Sequence, residues 1–543
     1  MLGLMQDWPL TVDRMIDHAA TVHGAREVVT RRLDGSLHRT TYRDIRDRAQ
    51  RLSAALQGLG IGVGDRVSTL AWNSERHVEC WFGTMGIGAV LHTLNPRLHP
   101  AQLAWIARDA GSRVLVLDTT FVPLVEAIRE HLPFEHYVII ADAADMPAKS
   151  LGALCYEDWL AAASGPVRWG GFDERSACGL CYTSGTTGDP KGVLYSHRSN
   201  VLHGMIGMSG GGIGVSAQDT VLPVVPMFHA NAWGLVFSCP AAGAKLVMPG
   251  ARLDGASVYE LLDRERVTLT AAVPTVWLAL LQYLRQEQLK LPWLRRVVIG
   301  GAALPETILR GFEDEFGVEV IHAWGMTETS PIGTVCTLPA ALAEADHERQ
   351  IAYRLKQGRP PFGVELKLVD EAGAELPWDG ETQGRLLVRG AAVASGYLNG
   401  AGGQILDADG FFDSGDVATI DPHGTMQITD RAKDVIKSGG EWISSIELEN
   451  LALLHPGVAN AAAIGVPDPK WDERPVLVIE PRPGATVTAD ELRALLDGRV
   501  ARWWMPDDYL FVETIPLGAT GKVNKLLLRE QIRARYTPAA AAE

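Results

Sequence analysis

The sequence predicts an α/β protein, with a large N-terminal region of layered α/β sheets and a hairpin-rich subdomain, followed by a small α+β C-terminal domain. Three observations carry that expectation. Apolar runs of strand length alternate with helix-periodic stretches through the first part of the chain, the pattern of βαβ units. From about Gly363 the texture changes to short strands separated by turns. Past Arg431 a compact α/β pattern resumes, so a boundary is expected near residues 430–434. A chain of 543 residues also exceeds one ordinary core, and two to four domains follow from length alone.

The elements read in order as follows. After Thr41, the apolar residues Ile45, Ala49, Leu52, Leu56 and Leu59 recur at helical spacing, with Asp44 three residues past the Thr cap and Gly60 as the stop. Strands are expected at 66–70, 113–117, 137–140, 220–225, 245–248, 268–272 and 296–299, with a Ser257/Glu260 capping box opening the helix before the sixth. The hairpin-rich part places strands at 364–369, 384–388, 417–420 and 426–428, with Asp421-Pro-His-Gly424 as a turn. In the last part, Ser444 with Glu447 and Thr488 with Glu491 cap two helices, and strands are expected near 459–466, 476–479 and 509–512.

Composition excludes several classes of function. Asp+Glu 65 against Lys+Arg 50 gives a net charge of −15 with no long basic block, which argues against nucleic acid as a partner but not against a single bound nucleotide. No run approaches the ~20 apolar residues of a bilayer span, and Asp7, Asp13 and Asp17 interrupt the N-terminal apolar residues. No transmembrane segment and a cytoplasmic location are therefore expected. Six cysteines do not make a disulfide framework, and Cys178 and Cys181, although spaced C-x-x-C, lie in an apolar segment that reads as packing rather than zinc or redox chemistry.

The residues between Tyr182 and Lys191 are the strongest chemical signal. Thr183, Ser184, Thr186 and Thr187 supply hydroxyls, Gly185 and Gly188 let the backbone curl into an anion nest, and Lys191 adds a cation. It is not a Walker A sequence, because no Gly-Lys-Ser/Thr follows a four-residue spacer. In Trp324-Gly325-Met326-Thr327-Glu328 an aromatic suited to stacking on a base precedes oxygens suited to phosphate and Mg²⁺; taken alone, Trp324 reads equally well as core. Phe411-Phe-Asp-Ser-Gly-Asp416 sets a carboxylate just after a turn, where it could accept from two ribose hydroxyls or simply be solvated. The charged cluster from Asp430 to Asp434 is a hinge or an ordinary linker. Lys437-Ser-Gly439-Gly440-Glu441-Trp442 combines a cation, two glycines and an exposed-looking indole, and Thr520-Gly521-Lys522 sets a lysine after a turn.

These six motifs, in this order over nearly the whole chain, resemble the adenylate-forming superfamily of acyl-coenzyme A synthetases, luciferases and peptide-synthetase adenylation domains. Phe228-His229-Ala-Asn231-Ala-Trp233 and the stretch from Ser438 to Ser445 are similar to the medium- and long-chain fatty acyl-CoA synthetases and to 3-methylmercaptopropionyl-CoA ligases. The resemblance implies an N-terminal adenylate-forming domain over 1–430, a hinge at 431–434 with Lys433 as pivot, and a mobile C-terminal domain over 435–543. It implies ATP, Mg²⁺ and free CoA, a monocarboxylic acid as substrate, and a homodimer. Carried over by position, 183–191 hold the β- and γ-phosphates, Gly301 and Ala302 line the adenine and acyl pockets, and 322–327 (His322, Ala323, Trp324, Gly325, Met326, Thr327) surround adenine and phosphate. Thr183 and Glu328 bind Mg²⁺, Asp416 holds the ribose with Arg431 nearby, and Lys522 approaches the carboxylate and α-phosphate in the adenylating orientation. Lys437, Gly439, Gly440, Glu441 and Trp442 face the pantetheine channel after rotation.

Trp324 stands where many relatives have Tyr, so stacking is expected to remain while a phenolic contact is lost. His229 and Trp233, four apart, share a face if their segment is helical, and an aromatic matching Trp233 gates a fatty-acyl tunnel in long-chain relatives; a core Trp and a satisfied core His are the alternative. No Arg or Lys stands out in this acyl-side stretch to pair with a second carboxylate. A medium- to long-chain fatty acid is the expected substrate, with 3-methylmercaptopropionate or another short or aromatic monocarboxylate as the alternative. A non-catalytic nucleotide-binding scaffold is the competing class; Lys522, Glu328 and Asp416, which it would be expected to lose in part, are all present.

Overall fold

The computed structural model describes residues 1, 3–147, 151–183, 189–439, 441–518 and 522–536. Among these residues the strands form four sheets. A seven-stranded sheet is built around the parallel strands Arg66–Leu70, Val90–Thr93, Val114–Asp118 and His136–Ile140, and closes at one edge with the antiparallel pair Ala177–Tyr182 and Gly192–Ser196. An eight-stranded sheet runs through Thr220–Pro223, Lys245–Met248, Leu269–Ala272, Arg296–Ile299 and Glu319–Gly325, all parallel. The strands Val364–Val369, Gly384–Gly390, Phe412–Ile420 and Met426–Arg431 make an antiparallel meander. Beyond it, a mixed five-stranded sheet pairs Val458–Asp468 with Asp472–Pro481 and carries helices at Ser445–Ala452, Ala489–Leu496 and Lys525–Tyr536. The architecture is thus a large N-terminal α/β domain with a smaller C-terminal α+β domain.

Local chemistry explains most elements. The Tyr42–Gly58 helix starts where read, with Thr41 and Asp44 closing a reciprocal capping box, and so does Ala489–Leu496 with Thr488 and Glu491. At Ser445–Ala452 only half of the box forms: Ser444 accepts from Glu447 N at 3.1 Å. The box read at Ser257/Glu260 is corrected, because the helix runs over Gly255–Arg264 and its cap is Asp254, which accepts from Ser257 N at 2.9 Å. Asp254 is the better acceptor, and Glu260 is drawn instead into an ion pair with Arg31.

The main core lies between the two large sheets and contains Ile16, Tyr42, Trp81, Phe82 and Phe237; each such side chain contributes roughly 1.5–3 kcal/mol by leaving water. Every residue of the Glu75–Gly86 helix is buried there, its charges included. Glu79 accepts from Arg48 at 2.7 Å and from the Tyr156 hydroxyl at 2.8 Å, so the helix keeps polar residues without facing solvent. No helix among the described residues is long and apolar enough to cross a membrane.

Candidate active site

The site forms where the C-terminal ends of the parallel strands meet the antiparallel meander and the C-terminal domain. Ala177–Tyr182 and Gly192–Ser196 carry the loop of hydroxyls between them. Its base is closed by two hydrogen bonds, Thr183 N to Lys191 O at 2.9 Å and Lys191 N to Thr183 Oγ1 at 3.1 Å. Tyr182 anchors the entry strand by donating to Asp109 at 2.6 Å. Ser184, Gly185, Thr186, Thr187 and Gly188 lie outside the described residues, as do Gly440 and the Thr520-Gly521 pair before Lys522.

Lys191 extends over the ring of Tyr397, with Nζ 5.1 Å from its centroid, and the Tyr397 hydroxyl donates to Glu328 Oε1 at 2.6 Å. This brings loop base, cation and buried carboxylate to one place. Tyr195 fixes the neighbouring turn by donating to the Thr327 carbonyl at 2.8 Å. The other oxygen of Glu328 accepts no hydrogen bond among the described residues. A hydroxyl at Thr183 and one carboxylate at Glu328 are hard oxygen donors of the kind Mg²⁺ takes when phosphates and water complete its shell.

Trp324 is 7% exposed, packed on the meander core of Leu366, Val388, Phe412 and Ile420. Its Nε1 donates to Asp416 Oδ2 at 2.9 Å, while Arg431 Nε reaches Asp416 Oδ1 at 2.8 Å. In place of a phenolic hydroxyl, the indole thus makes a polar contact of its own. Asp416 lies within the Phe412–Ile420 strand rather than just after a turn, paired in register with Arg431 across the sheet. Burial raises its carboxyl above the ordinary range, against the pull of Arg431, the Trp324 N–H and Lys522. Gly325 has no room for a side chain, since a Cβ would stand 1.8 Å from the Pro331 carbonyl oxygen. His322, by contrast, pairs its Nδ1 with the Leu355 carbonyl at 3.0 Å and is held neutral by burial, its pKa about 4, while its buried Nε2 has no hydrogen-bond partner among the described residues.

Lys522 arrives from the C-terminal domain. Burial lowers its pKa to about 8, helped by the like charges of Arg431 and Lys433 and opposed by Asp416. The side chains meet at Gly301, whose φ of +80° favours glycine. A Cβ there would sit 3.8 Å from Trp233 Cζ2 and 3.9 Å from Lys522 Cε, and one at Gly300 would sit 3.3 Å from Trp233 Cη2. Trp233 therefore covers the two glycines ahead of Ala302. Burial, then Lys522 and Arg97, lower the His229 pKa to about 4.

The segment carrying Trp233 is not a right-handed helix. Ala230, Asn231, Ala232 and Trp233 all have positive φ, from 41° to 60°, so the four-residue spacing does not put His229 and Trp233 on one helical face. Left-handed backbone costs roughly 1–2 kcal/mol per non-glycine residue, and neighbours hold it: Asn231 accepts from Cys181 Sγ at 3.8 Å and donates to Asn200 Oδ1 at 3.4 Å, and Asn200 in turn donates to Cys178 Sγ at 3.2 Å. The C-x-x-C cysteines are thus buried, free packing residues. Two residues escaped the sequence reading. Tyr397 holds Glu328, and Arg97, its guanidinium 5.8 Å from the Phe228 ring centroid, places a cation beside His229 on the acyl side where none was expected. Only a fold-level alignment of their loops with the site could have found them.

The residues read as CoA-facing stand apart. Lys437 and Trp442 pair across a hairpin, Ile436–Ser438 with Glu441–Ile443, and Lys437 Nζ lies 3.6 Å from Glu371. Gly439 has a φ of +62° and donates its N–H to the Trp471 carbonyl at 2.7 Å. Among the described residues, no hydrogen bond or ion pair links this hairpin to Asp416, Arg431 or Lys522.

Known proteins match this chain over nearly its whole length. Residues 16–398 match the AMP-binding enzyme family, and residues 447–522 match the AMP-binding enzyme C-terminal domain. The chain is 49% identical to a 3-methylmercaptopropionyl-CoA ligase of Ruegeria pomeroyi over 98% of this chain and 99% of that protein. It is 46% identical to a long-chain-fatty-acid–CoA ligase of Thermus thermophilus over 98% and 97% of the two chains. Among solved structures, an anthranilate CoA ligase in complex with anthranoyl-AMP superposes with a TM-score of 0.87 at 28% identity, covering 98% of this chain and 99% of that one.

Proposed function

The chain belongs to the AMP-binding enzyme family, and from that premise we propose how its residues divide the reaction. It is an AMP-forming acyl-CoA synthetase: a carboxylic acid and ATP give an acyl-adenylate and pyrophosphate, and the thiol of CoA then displaces AMP to give the thioester. The observation that carries the assignment of roles is the convergence of Lys522, Arg431, Asp416 and Trp324 on one site from three separate segments of the chain.

In the first half-reaction, Trp324 offers a face to adenine, with Gly301, Ala302, Ala323, Gly325 and Met326 lining that pocket. Asp416, held by Arg431 and the indole N–H, accepts from the ribose hydroxyls. Thr183, Lys191 and the hydroxyls of the loop bind the departing pyrophosphate, and Thr327 contacts phosphate. Lys522 faces the α-phosphate and stabilises charge that develops as the carboxylate attacks; it is not needed as a base, because the acid is already ionised at neutral pH. Mg²⁺, held by Glu328 and Thr183, would neutralise phosphate charge. Residues 431–434 form the hinge, with 1–430 and 435–543 as the bodies it joins and Lys433 as pivot. Rotation then removes Lys522 and brings Lys437, Gly439, Gly440, Glu441 and Trp442 to the pantetheine channel.

For the acid, the reading favoured is a short monocarboxylate of the 3-methylmercaptopropionate class, ahead of the medium- to long-chain fatty acid expected from the sequence. The near-complete match to the Ruegeria ligase supports that order. His229, Trp233 and Gly301 form the acyl-side wall. The test is acid-dependent ATP–pyrophosphate exchange and CoA-dependent AMP release across short thioether, short, medium, long and aromatic acids. A dicarboxylate is included because Arg97 stands beside His229. The highest kcat/KM on a long-chain acid would reverse the order. We also propose a homodimer, on family resemblance alone, and sedimentation of the purified protein tests it.

A further inference from the structure

A second lysine lies three residues beyond Lys522, and its surroundings are unlike those of a surface helix. The turn carrying Lys522 is closed by Gly518 N to Lys522 O at 2.7 Å and Asn524 N to Pro516 O at 2.8 Å, and the Lys525–Tyr536 helix begins directly after it. Lys525 Nζ is 2.6 Å from Glu449 Oε1 and 2.6 Å from Ser445 Oγ, with its side chain 10% exposed. Burial alone would lower its pKa, yet the carboxylates of Glu449, Asp430 and Asp434 raise it, so it stays charged.

The chain of contacts continues out of the C-terminal domain. Ser445 N donates to Asp430 Oδ2 at 2.6 Å and Ser445 Oγ donates to Asp430 Oδ1 at 2.9 Å. Ser444 Oγ donates to the Thr429 carbonyl beside it. Asp430 is 1% exposed and sits on the Met426–Arg431 strand, next to the Arg431 that holds Asp416. One buried network thus joins the ribose-side strand to the helix that follows the Lys522 turn. A carboxylate buried this way is costly to leave unpaired, so the network has few alternative arrangements.

We propose that Lys525 is a positioning residue: with Asp430 and Ser445 it latches the C-terminal domain in the orientation that presents Lys522 to the nucleotide. The inference rests on the hinge and Lys522 role proposed above. Asp430 lies on the N-terminal side of residues 431–434 and Ser445 and Lys525 lie beyond them, so rotation at the hinge separates Asp430 from both. The latch is made in the adenylating orientation and released in the other.

Asp430→Asn keeps the shape of the side chain and removes its charge, and Lys525→Met removes the cation. The two half-reactions are measured separately in the full-length enzyme: ATP–pyrophosphate exchange, and conversion of supplied acyl-AMP with CoA to the thioester. Exchange is expected to fall between about tenfold and a hundredfold in both variants, the scale of a misplaced catalytic group, while thioester formation stays within about twofold. Lys525→Arg is expected to recover part of the exchange. Should Lys525→Met fail to fold, Asp430→Asn decides. Exchange at the wild-type rate in Asp430→Asn, or equal loss in both half-reactions, overturns the latch. Lys522→Ala run alongside separates the causes: if it spares exchange, the underlying assignment of Lys522 fails, whereas loss there with wild-type exchange in Asp430→Asn rejects only the latch.

Discussion

The indole Nε1 of Trp324 donates to Asp416 Oδ2 across 2.9 Å and 92 residues of sequence, so the group proposed to stack on adenine also orients the group proposed to hold the ribose. A tyrosine at this position would have to place its hydroxyl differently, and the tryptophan couples two nucleotide contacts that the sequence presents as separate motifs. Arg431 completes the arrangement on the other carboxylate oxygen.

Trp324→Phe should therefore weaken ATP binding without emptying the adenine platform. The aromatic face remains, but a buried carboxylate loses one of the two side-chain partners it has among the described residues, a hydrogen bond to a charged group costing about 1.5–3 kcal/mol. The expected result is a rise of about tenfold or more in the KM for ATP in pyrophosphate exchange, with the KM for the acid little changed. An unchanged ATP KM would show that the indole N–H does not support ribose binding.

Lys522→Ala should nearly abolish acyl-AMP formation, by more than about a hundredfold on the scale of removed oxyanion-site donors, while supplied acyl-AMP is still converted to the thioester. The geometry supports the asymmetry, because Lys522 Cε comes near Gly301 and Asp416 pulls on its charge, both on the nucleotide side. Equal damage to the two half-reactions would remove Lys522 from the adenylating role.

The chemical motifs were legible in the sequence because phosphate, ribose and carboxylate chemistry each demands a few residue types at short spacing, as in Thr183 to Lys191 and Ser414 to Asp416. Capped helices such as Tyr42–Gly58 were legible for the same local reason. The Glu75–Gly86 helix was not, because burial on every face leaves no apolar stripe and its charges are satisfied by Arg48, Tyr156 and other distant residues. Tyr397 was hidden as well: its hydrogen bond to Glu328 spans 69 residues. The left-handed turn at Trp233 was not legible because Ala, Asn and Trp carry no local signal for positive φ comparable to glycine's.

Trp442→Ala should impair the thioester step, through a raised KM for CoA or a slower transfer, and leave pyrophosphate exchange largely intact. Trp442 pairs with Lys437 on a hairpin that, among the described residues, makes no hydrogen bond or ion pair to Asp416 or Lys522. Unaltered CoA kinetics would take Trp442 out of the channel.

Glu328→Gln should raise the Mg²⁺ concentration needed for half-maximal exchange, since a neutral amide is a poorer hard-cation ligand than a carboxylate. Tyr397→Phe should act in the same direction more weakly, because it removes only the 2.6 Å hydrogen bond that fixes the carboxylate. Titrating Mg²⁺ at fixed ATP checks both, and a wild-type Mg²⁺ dependence in Glu328→Gln would refute the ligand assignment.

The alkaline limb of the first half-reaction should belong to Lys522. Burial and the neighbouring Arg431 and Lys433 lower its pKa to about 8, so the cation is present below that pH and is lost as the pH rises through it. His229 cannot supply this limb, because its pKa of about 4 leaves it neutral throughout the neutral and alkaline range. The profile of kcat/KM for ATP reports the free enzyme and should bend downward near pH 8, whereas kcat reports the ATP complex, in which phosphate charge favours the ammonium and moves the bend upward. Lys522→Arg, charged across the whole range, should lower the rate and erase the bend. Measuring both profiles by exchange for the wild type and this variant decides the point: a limb near pH 8 that survives in Lys522→Arg is produced by another group.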